Sequence, residues 1–312
     1  MTLIQLEYVV AVDTYRHFAK AAEKCFITQP TLSMQIQKLE DSLGVIIFDR
    51  SKHPVMPTEI GQSIIKQARI VLNESKKIKE IIDDEKQELV GEIRLGIIPT
   101  LSPYLLPLFI NTFIEKYPRV EIQVEEFLTS QIIEKLKYDL LDIGLVVTPV
   151  KEQGIIEKPL FYEEFYTYVS SQHALSKKPV LSMDDIDVND LWLLNEGHCF
   201  REQTLNLCGA YQDKPKNEHF RYESGSLEAL RKIVDQRRGL TLLPELATYD
   251  LTLENKKKLR PFVAPVPVRE VSLIMHRSFL KRKIVEALFK EIIDSLPPDM
   301  AARKQGNVIK WR

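Results

Sequence analysis

No apolar run in this 312-residue chain approaches the roughly 20 residues that a bilayer-crossing helix needs. The opening stretch, MTLIQLEYVVAVDTYRHF, lacks a basic n-region, a continuous apolar run and a small-residue cleavage site. It reads as a first helix with Leu3, Leu6, Val9 and Val10 on one face. No membrane partner and a cytoplasmic location are therefore expected. Cysteine is scarce: Cys25, Cys199 and Cys208 make an odd number with no leader, a poor disulfide framework for a secreted domain. Excess charge of either sign is also missing, with 43 Lys and Arg against 44 Asp and Glu. Residues 1–58 are balanced too, six against six. Any affinity for phosphates must come from the placement of single cations and from pairing of subunits. What is present is an ordinary globular composition, 44% hydrophobic and 28% charged, in a chain long enough for two or three domains.

Residues 1–58 read as short helices with tight connections. From Thr58 to about Glu88 there is no glycine after Gly61 and no proline. Apolar residues at Ile64, Ala68, Val71, Ile78 and Ile82, with Ser75 in the missing heptad place, predict a long amphipathic helix over 59–89 suited to a two-stranded seam. Thr58 is placed to cap it. From Gly91 the texture becomes α/β. Strands are expected at Glu92–Ile98, Val120–Phe127 and Leu141–Val147, with helices at Tyr104–Tyr117 and Ser130–Tyr138. The pattern restarts with a strand near Tyr162–Ser170, a helix after Ser182 and a strand at Leu191–Asn195. A helix at about Ser226–Gln236, a strand at Leu240–Leu243, a returning strand at Arg269–His276 and a helix at Lys281–Ser295 complete it. This order predicts a mostly parallel sheet covered by helices. Two lobes joined by two crossings and separated by a cleft are expected over 90–300: lobe I about 90–162 and 268–300, lobe II about 163–267. Residues 301–312, with Arg303, Lys304, Lys310 and Arg312 and no acid, read as a solvated, mobile basic tail.

The segment from Phe18 to Arg50 reads as two helices joined by a turn at Phe26–Ile27. Ala21 and Ala22 let another helix approach closely. Thr28 can cap the second helix, and Pro30 occupies its first turn, where a missing N–H costs nothing. Leu32, Ile36, Leu39 and Leu43 form a stripe expected to face the core. Pro30, Thr31, Met34 and Lys38 lie on or near the opposite face, flanked by Gln29 and Ser33. Short, uncharged, hydrogen-bonding residues at a helix N-terminus suit entry into the major groove of double-stranded DNA. Arg16, Arg50, Lys52 and His53 are placed to clamp the backbone, and Asp49–Pro57 makes a wing. Cys25 is expected to pack in the interior.

These residues resemble the LysR family of regulators. The match runs through Ala21–Ala22, TQPTLS at Thr28–Ser33, Gln35–Ile36, Leu39–Glu40, Leu43–Gly44, Phe48–Arg50 and P-T-x-x-G at Pro57–Gly61. The resemblance implies a multidomain α and α/β fold: an N-terminal winged helix-turn-helix (1–58), a long dimerisation helix (59–89) and a two-lobed, periplasmic-binding-protein-like α/β effector domain (90–300). It implies homodimers assembling to homotetramers on promoter DNA, with RNA polymerase as a further partner.

Two of the three cysteines lie nine positions apart in NEGHCFREQTLNLCGA, Asn195–Ala210. His198, Arg201 and a helix start after Gly197 are each expected to push the Cys199 thiol pKa down. Cys208 has an apolar setting better suited to a resolving thiol. If the stretch between them is helical, the two Cα atoms lie roughly 13 Å apart, beyond the reach of about 7 Å for a disulfide. Joining them then requires local unfolding. On the residues alone, two small core cysteines, or a metal site with His198 and His219, remain open. G-H-C-x-R with a second cysteine nine positions on resembles the peroxide-sensing members of the LysR family. So do GIIPTLSPYLLP at Gly96–Pro107, Ser226–Arg231 and Gly239–Pro244. This resemblance implies that hydrogen peroxide oxidises Cys199, that Cys208 resolves it as a disulfide, and that antioxidant genes are activated. It also implies a peroxide pocket of Thr100, Thr129, His198 and Arg201. Arg269 is the nearest match for a further pocket arginine, in a segment, VPVREVSLIMHR, that departs from those sequences. No cofactor and no metal are required. A small-molecule effector in the cleft, or a thiol peroxidase, are the competing readings.

Overall fold

The computed structural model describes residues 1–84, 89–208, 222, 224–277, 279, 281–303 and 307–309. The chain divides into two compact units, Met1–Gln87 and Glu88–Arg312.

The first unit opens with α1 (Leu3–Tyr15), started by a reciprocal cap in which Gln5 N–H donates to Thr2 Oγ1 and Thr2 N–H to Gln5 Oε1. Then come α2 (Phe18–Lys24), α3 (Gln29–Leu43), the two-stranded wing β1 (Phe48–Asp49) and β2 (Met56–Pro57), and α4 (Glu59–Asp84). Leu6, Val9 and Val12 of α1 pack with Ala21, Ala22, Leu32, Ile36 and Leu39. Leu3 is exposed rather than buried, because it precedes the turn of α1 that meets its neighbours. Leu43 is likewise 39% exposed, because α3 ends there at a left-handed Gly44. Its place inside is taken by Glu40, whose carboxylate accepts the N–H groups of Ile47 and Phe48 and fixes the entry to the wing. Thr28 sits at the N-cap of α3, but its hydroxyl bonds the Thr31 hydroxyl at 2.8 Å instead of a backbone N–H. Thr58 caps α4 as expected, accepting from Gly61 N–H at 3.0 Å. The first half of the α4 seam packs within its own unit, with Ile65 and Ala68 buried and Ile64 and Val71 against the same core. Ile78 is 65% exposed. The Ile82 side chain lies outside the described residues.

The second unit contains β3 (Gly91–Ile97), α5 (Ser102–Lys116), β4 (Val120–Glu126), α6 (Thr129–Lys137), β5 (Ile143–Thr148) and β6 (Ile155–Val169). After these come α7 (Cys199–Leu207), α8 (Leu227–Gln236), β7 (Leu240–Pro244), α9 (Leu246–Tyr249), α10 (Leu253–Lys256) and β8 (Leu259–Pro261). The chain continues through β9 (Pro267–His276), α11 (Arg282–Asp294), α12 (Pro298–Ala301) and β10 (Asn307–Val308). The sheet order is β4-β3-β5-β9-β6-β7, with β8 on β6 and β10 on β9. Among the described strands, β3 with β4 and β5, and β10 with β9, pair in parallel, whereas β5 with β9 and β6 with β7, β8 and β9 pair antiparallel. The sheet is therefore mixed, not mostly parallel: β9 returns between β5 and β6 and runs against both. The strand expected near 162–170 begins already at Ile155 and crosses the unit, with a bulge between Pro159 and Phe161. Leu191–Asn195 makes isolated bridges to Leu240 and Ser224 instead of a strand. The helix expected after Ser182 is a single 3-10 turn, Met183–Asp185. Among the described residues no helix is long and apolar enough to cross a membrane.

The tail also differs from expectation where it is described. Arg303 is held by Glu245 and Glu164, and β10 lies on β9. Lys304, Lys310 and Arg312 lie outside the described residues.

Candidate functional site

On α3, Gln29, Pro30, Met34 and Lys38 are exposed and Thr31 and Ser33 half-buried, so the expected face is presented to solvent. The flanking cations are less free than their positions in the sequence suggest. Arg50 donates to Ser33 Oγ at 3.0 Å and to the buried Glu40 at 2.9 Å, and lies over the Phe18 ring. Arg16, in the left-handed region at the end of α1, pairs with Asp13 at 2.9 Å. Its carbonyl accepts from Val55 N–H of the wing. Lys52 is 3.8 Å from Asp49, and His53 is exposed. Phe26, which sequence reasoning passed over as a turn residue, stands 95% exposed with φ 55°.

In the second unit Gly197, at φ +93°, turns the chain so that α7 starts at Cys199. A side chain here would be strained and would meet Leu128. Cys199 is buried, 4% exposed. Thr129 begins α6, Thr100 lies in the turn after β3, and Arg269 lies on β9; all three are buried. Arg269 donates from Nη1 to Thr100 Oγ1 and from Nη2 to the Thr100 carbonyl, each at 3.1 Å. Its guanidinium faces the Phe200 ring at 5.3 Å, and Phe200 stacks on Phe165. Sequence reasoning missed the partner that holds this arginine. Glu163, opposite Arg269 in the β6–β9 register, accepts from its Nε at 2.7 Å, both side chains being 0% exposed. The other Glu163 oxygen accepts Leu246 N–H at 2.8 Å. A buried glutamate directly before the half-buried Glu164 had no distinguishing mark in the sequence. Only strand register separates them.

The electrostatics correct one expectation. Burial pushes the Cys199 thiol up, against a lowering by Arg269 first, then by the Thr129 hydroxyl and the N–H groups at the start of α7. The helix start acts as expected, but the cation is Arg269. Burial drives His198 down towards its neutral form, and Arg201 donates instead to the Leu194 carbonyl at 2.9 Å. Among the described residues the buried Thr129 Oγ1 has no other hydrogen-bond partner, which leaves its hydroxyl to act on the Cys199 sulfur. Cys208 is half-buried at the C-cap of α7, and burial pushes its thiol up to about 12. All three cysteines are unpaired. The stretch between Cys199 and Cys208 is helical, which spaces their Cα atoms roughly 13 Å apart. Cys25 ends α2 against the core of its unit. His219 lies outside the described residues.

Two family descriptions match this architecture: "Bacterial regulatory helix-turn-helix protein, lysR family" over residues 3–62 and "LysR substrate binding domain" over 86–297. The chain belongs to the LysR family. Among LysR relatives, the hydrogen peroxide-inducible genes activator of Haemophilus influenzae is 35% identical, over 95% of this chain and 97% of its own. A full-length, cysteine-to-aspartate form of OxyR from Pseudomonas aeruginosa superposes with a TM-score of 0.79 at 36% identity, covering 94% of this chain and 97% of that one. A mutant OxyR from Corynebacterium glutamicum with hydrogen peroxide bound has a TM-score of 0.59 at 26% identity, over 98% of each chain.

Proposed function

We propose that this LysR regulator is a peroxide-responsive activator of antioxidant genes, switched by a reversible Cys199–Cys208 disulfide. The observation that carries the reading is a buried thiol acted on by Arg269, which also holds Thr100, and by the Thr129 hydroxyl, at the start of the helix that separates it from Cys208. In the first step the Cys199 thiolate attacks one oxygen of hydrogen peroxide and the O–O bond breaks. The departing hydroxide takes up a proton and leaves as water, and the sulfur is oxidised to the sulfenic acid. Arg269 and the hydroxyls of Thr100 and Thr129 supply the donors suited to the peroxide oxygens and to the departing hydroxide. His198 is buried beside Cys199 in sequence, and Arg201 anchors the segment before α7 through the Leu194 carbonyl. Cys208 then displaces the sulfenic hydroxyl, a second water leaves, and α7 is unwound because its ends must close from roughly 13 Å to about 7 Å.

The DNA-reading face is Gln29, Pro30, Thr31, Ser33, Met34 and Lys38, with Arg16, Arg50, Lys52 and His53 on the phosphates. Homodimers through α4, assembled to homotetramers on promoter DNA in the cytoplasm, and contact with RNA polymerase complete the reading. Refolding within one lobe of the effector domain alters the arrangement of subunits and thereby the footprint. Footprinting on promoter DNA with reduced and oxidised protein tests this. Oxidation is expected to shift the wild-type footprint and to leave Cys199→Ser unchanged. Thiols that stay unlinked by mass spectrometry after mild peroxide would favour a small-molecule effector instead.

A further inference from the structure

The segment past α12 touches the helix that carries the thiols. Met300 is wholly buried. Arg303 is gripped by Glu245 and Glu164 and donates to the Tyr162 carbonyl at 3.2 Å. Farther on, β10 pairs with β9 in parallel, Asn307 against Pro267 and Val308 against Val268. Ile309 N–H donates to the Val268 carbonyl at 2.8 Å. At this point β6 lies on the other side of β9, and β5 reaches β9 only from Glu270 onward. Thus β10 takes the place beside β9 that β5 leaves open, one residue from Arg269. The Ile309 carbonyl in turn accepts from Gln203 Nε2 at 2.7 Å.

Gln203 is in the middle of α7, four residues from Cys199 and five from Cys208, and its side chain is fully buried. Its Oε1 has no partner among the described residues. The bond to Ile309 is therefore the one seen to offset burial of that amide, and burying an amide without compensation is costly. The bond needs Gln203 where the helix puts it. Bringing the two sulfurs together takes the backbone around Gln203 out of the helix, so the contact with Ile309 and closure of the disulfide exclude one another.

We infer that residues 307–309 form a latch on α7 through Gln203, which restrains the joining of Cys199 to Cys208 and is released when they join. The inference rests on the redox reading above. The latch opposes the second step of oxidation and leaves the first untouched, because Gln203 holds the helix and is not among the groups that act on the Cys199 sulfur. Loss of the latch therefore makes the sensor close its disulfide more readily.

The test uses the full chain and two variants: Gln203→Met, which keeps length and removes the amide, and a chain stopped after residue 306. Sulfenic acid formation is timed by dimedone trapping in a Cys208→Ser background, and disulfide formation by alkylation and mass spectrometry. Both variants are expected to form sulfenic acid at the wild-type rate. They are expected to close the disulfide about three- to tenfold faster, the equivalent of about one net hydrogen bond. Unchanged or slower closure in both overturns the latch. A measurement on the unmodified chain guards against a misfolded variant. The Gln203 side-chain amide protons, which donate to the Ile309 carbonyl, are expected to exchange slowly in the reduced protein and to lose that protection once oxidised; protection kept in the disulfide form overturns the latch as well. The two levels separate cleanly. A wild-type chain that never links Cys199 to Cys208 sinks the redox reading, whereas one that links them with the same kinetics in both variants sinks only the latch.

Discussion

Arg269 and Glu163 face each other across two antiparallel strands with no access to water, and neither would be tolerated there alone. Their pairing lets a guanidinium reach Thr100 and lower the Cys199 thiol, which burial otherwise pushes up. Removing the cation therefore moves the thiol further up, and thiolate becomes available only at higher pH. Arg269→Met is expected to shift the pH profile of Cys199 oxidation to the alkaline side. At neutral pH, with less thiolate present, it should slow sulfenic acid formation roughly tenfold or more. That single change also strands a buried carboxylate, at a cost of about 3–5 kcal/mol in thermal or denaturant unfolding. The double variant Glu163→Gln/Arg269→Met restores much of the stability and keeps the alkaline shift, which separates the electrostatic effect from a folding defect. A profile that stays put in the double variant contradicts the role given to Arg269. Cys199 was legible in the sequence through its motif, and Thr100, Thr129 and Arg269 only through the resemblance. Glu163 was not, because a side chain that acts through its cross-strand neighbour carries no local mark.

At the scale of elements, long helices were read well where period and caps agree. α4 starts at Thr58 with the expected cap, and α8 starts at Ser226, whose hydroxyl accepts from Ala229 N–H. What failed were short apolar stretches such as Leu191–Asn195, where β propensity was present but no neighbour ran alongside for more than single bridges. Gly61 shows how an element depends on a close approach. A Cβ on it would lie 2.1 Å from the Ile47 carbonyl oxygen, at the junction of α4 with the wing. Gly61→Ala is expected to destabilise the first unit by about 1–3 kcal/mol, seen as a lowered melting midpoint for that unit. An unchanged midpoint would show that the backbone gives way freely. In α7 the two thiols are held at opposite ends by the helix itself, and the sequence already carried that spacing. The contact of Gln203 with Ile309 links residues 106 positions apart, and no periodicity announces it.

At the scale of the whole molecule, the chain forms two units with separate cores, and the long helix α4 belongs to the first. The inner turns of α4 are committed to their own unit, whereas Ile78 stands in solvent with its apolar side chain uncovered. Ile78→Lys places a charge where a seam between two copies of α4 would close. It is expected to weaken dimerisation roughly tenfold or more in sedimentation experiments, with little change in the stability of a single chain. Dimers of wild-type strength would move the interface elsewhere. The amino-acid sequence by itself determined the order of parts, the helix-turn-helix and the spacing of the two thiols, because these depend on residues near one another along the chain. The tertiary structure decided which cation faces the sulfur, which carboxylate holds that cation and where the tail docks. Those outcomes depend on strand register and on burial, which arise only when distant segments pack together.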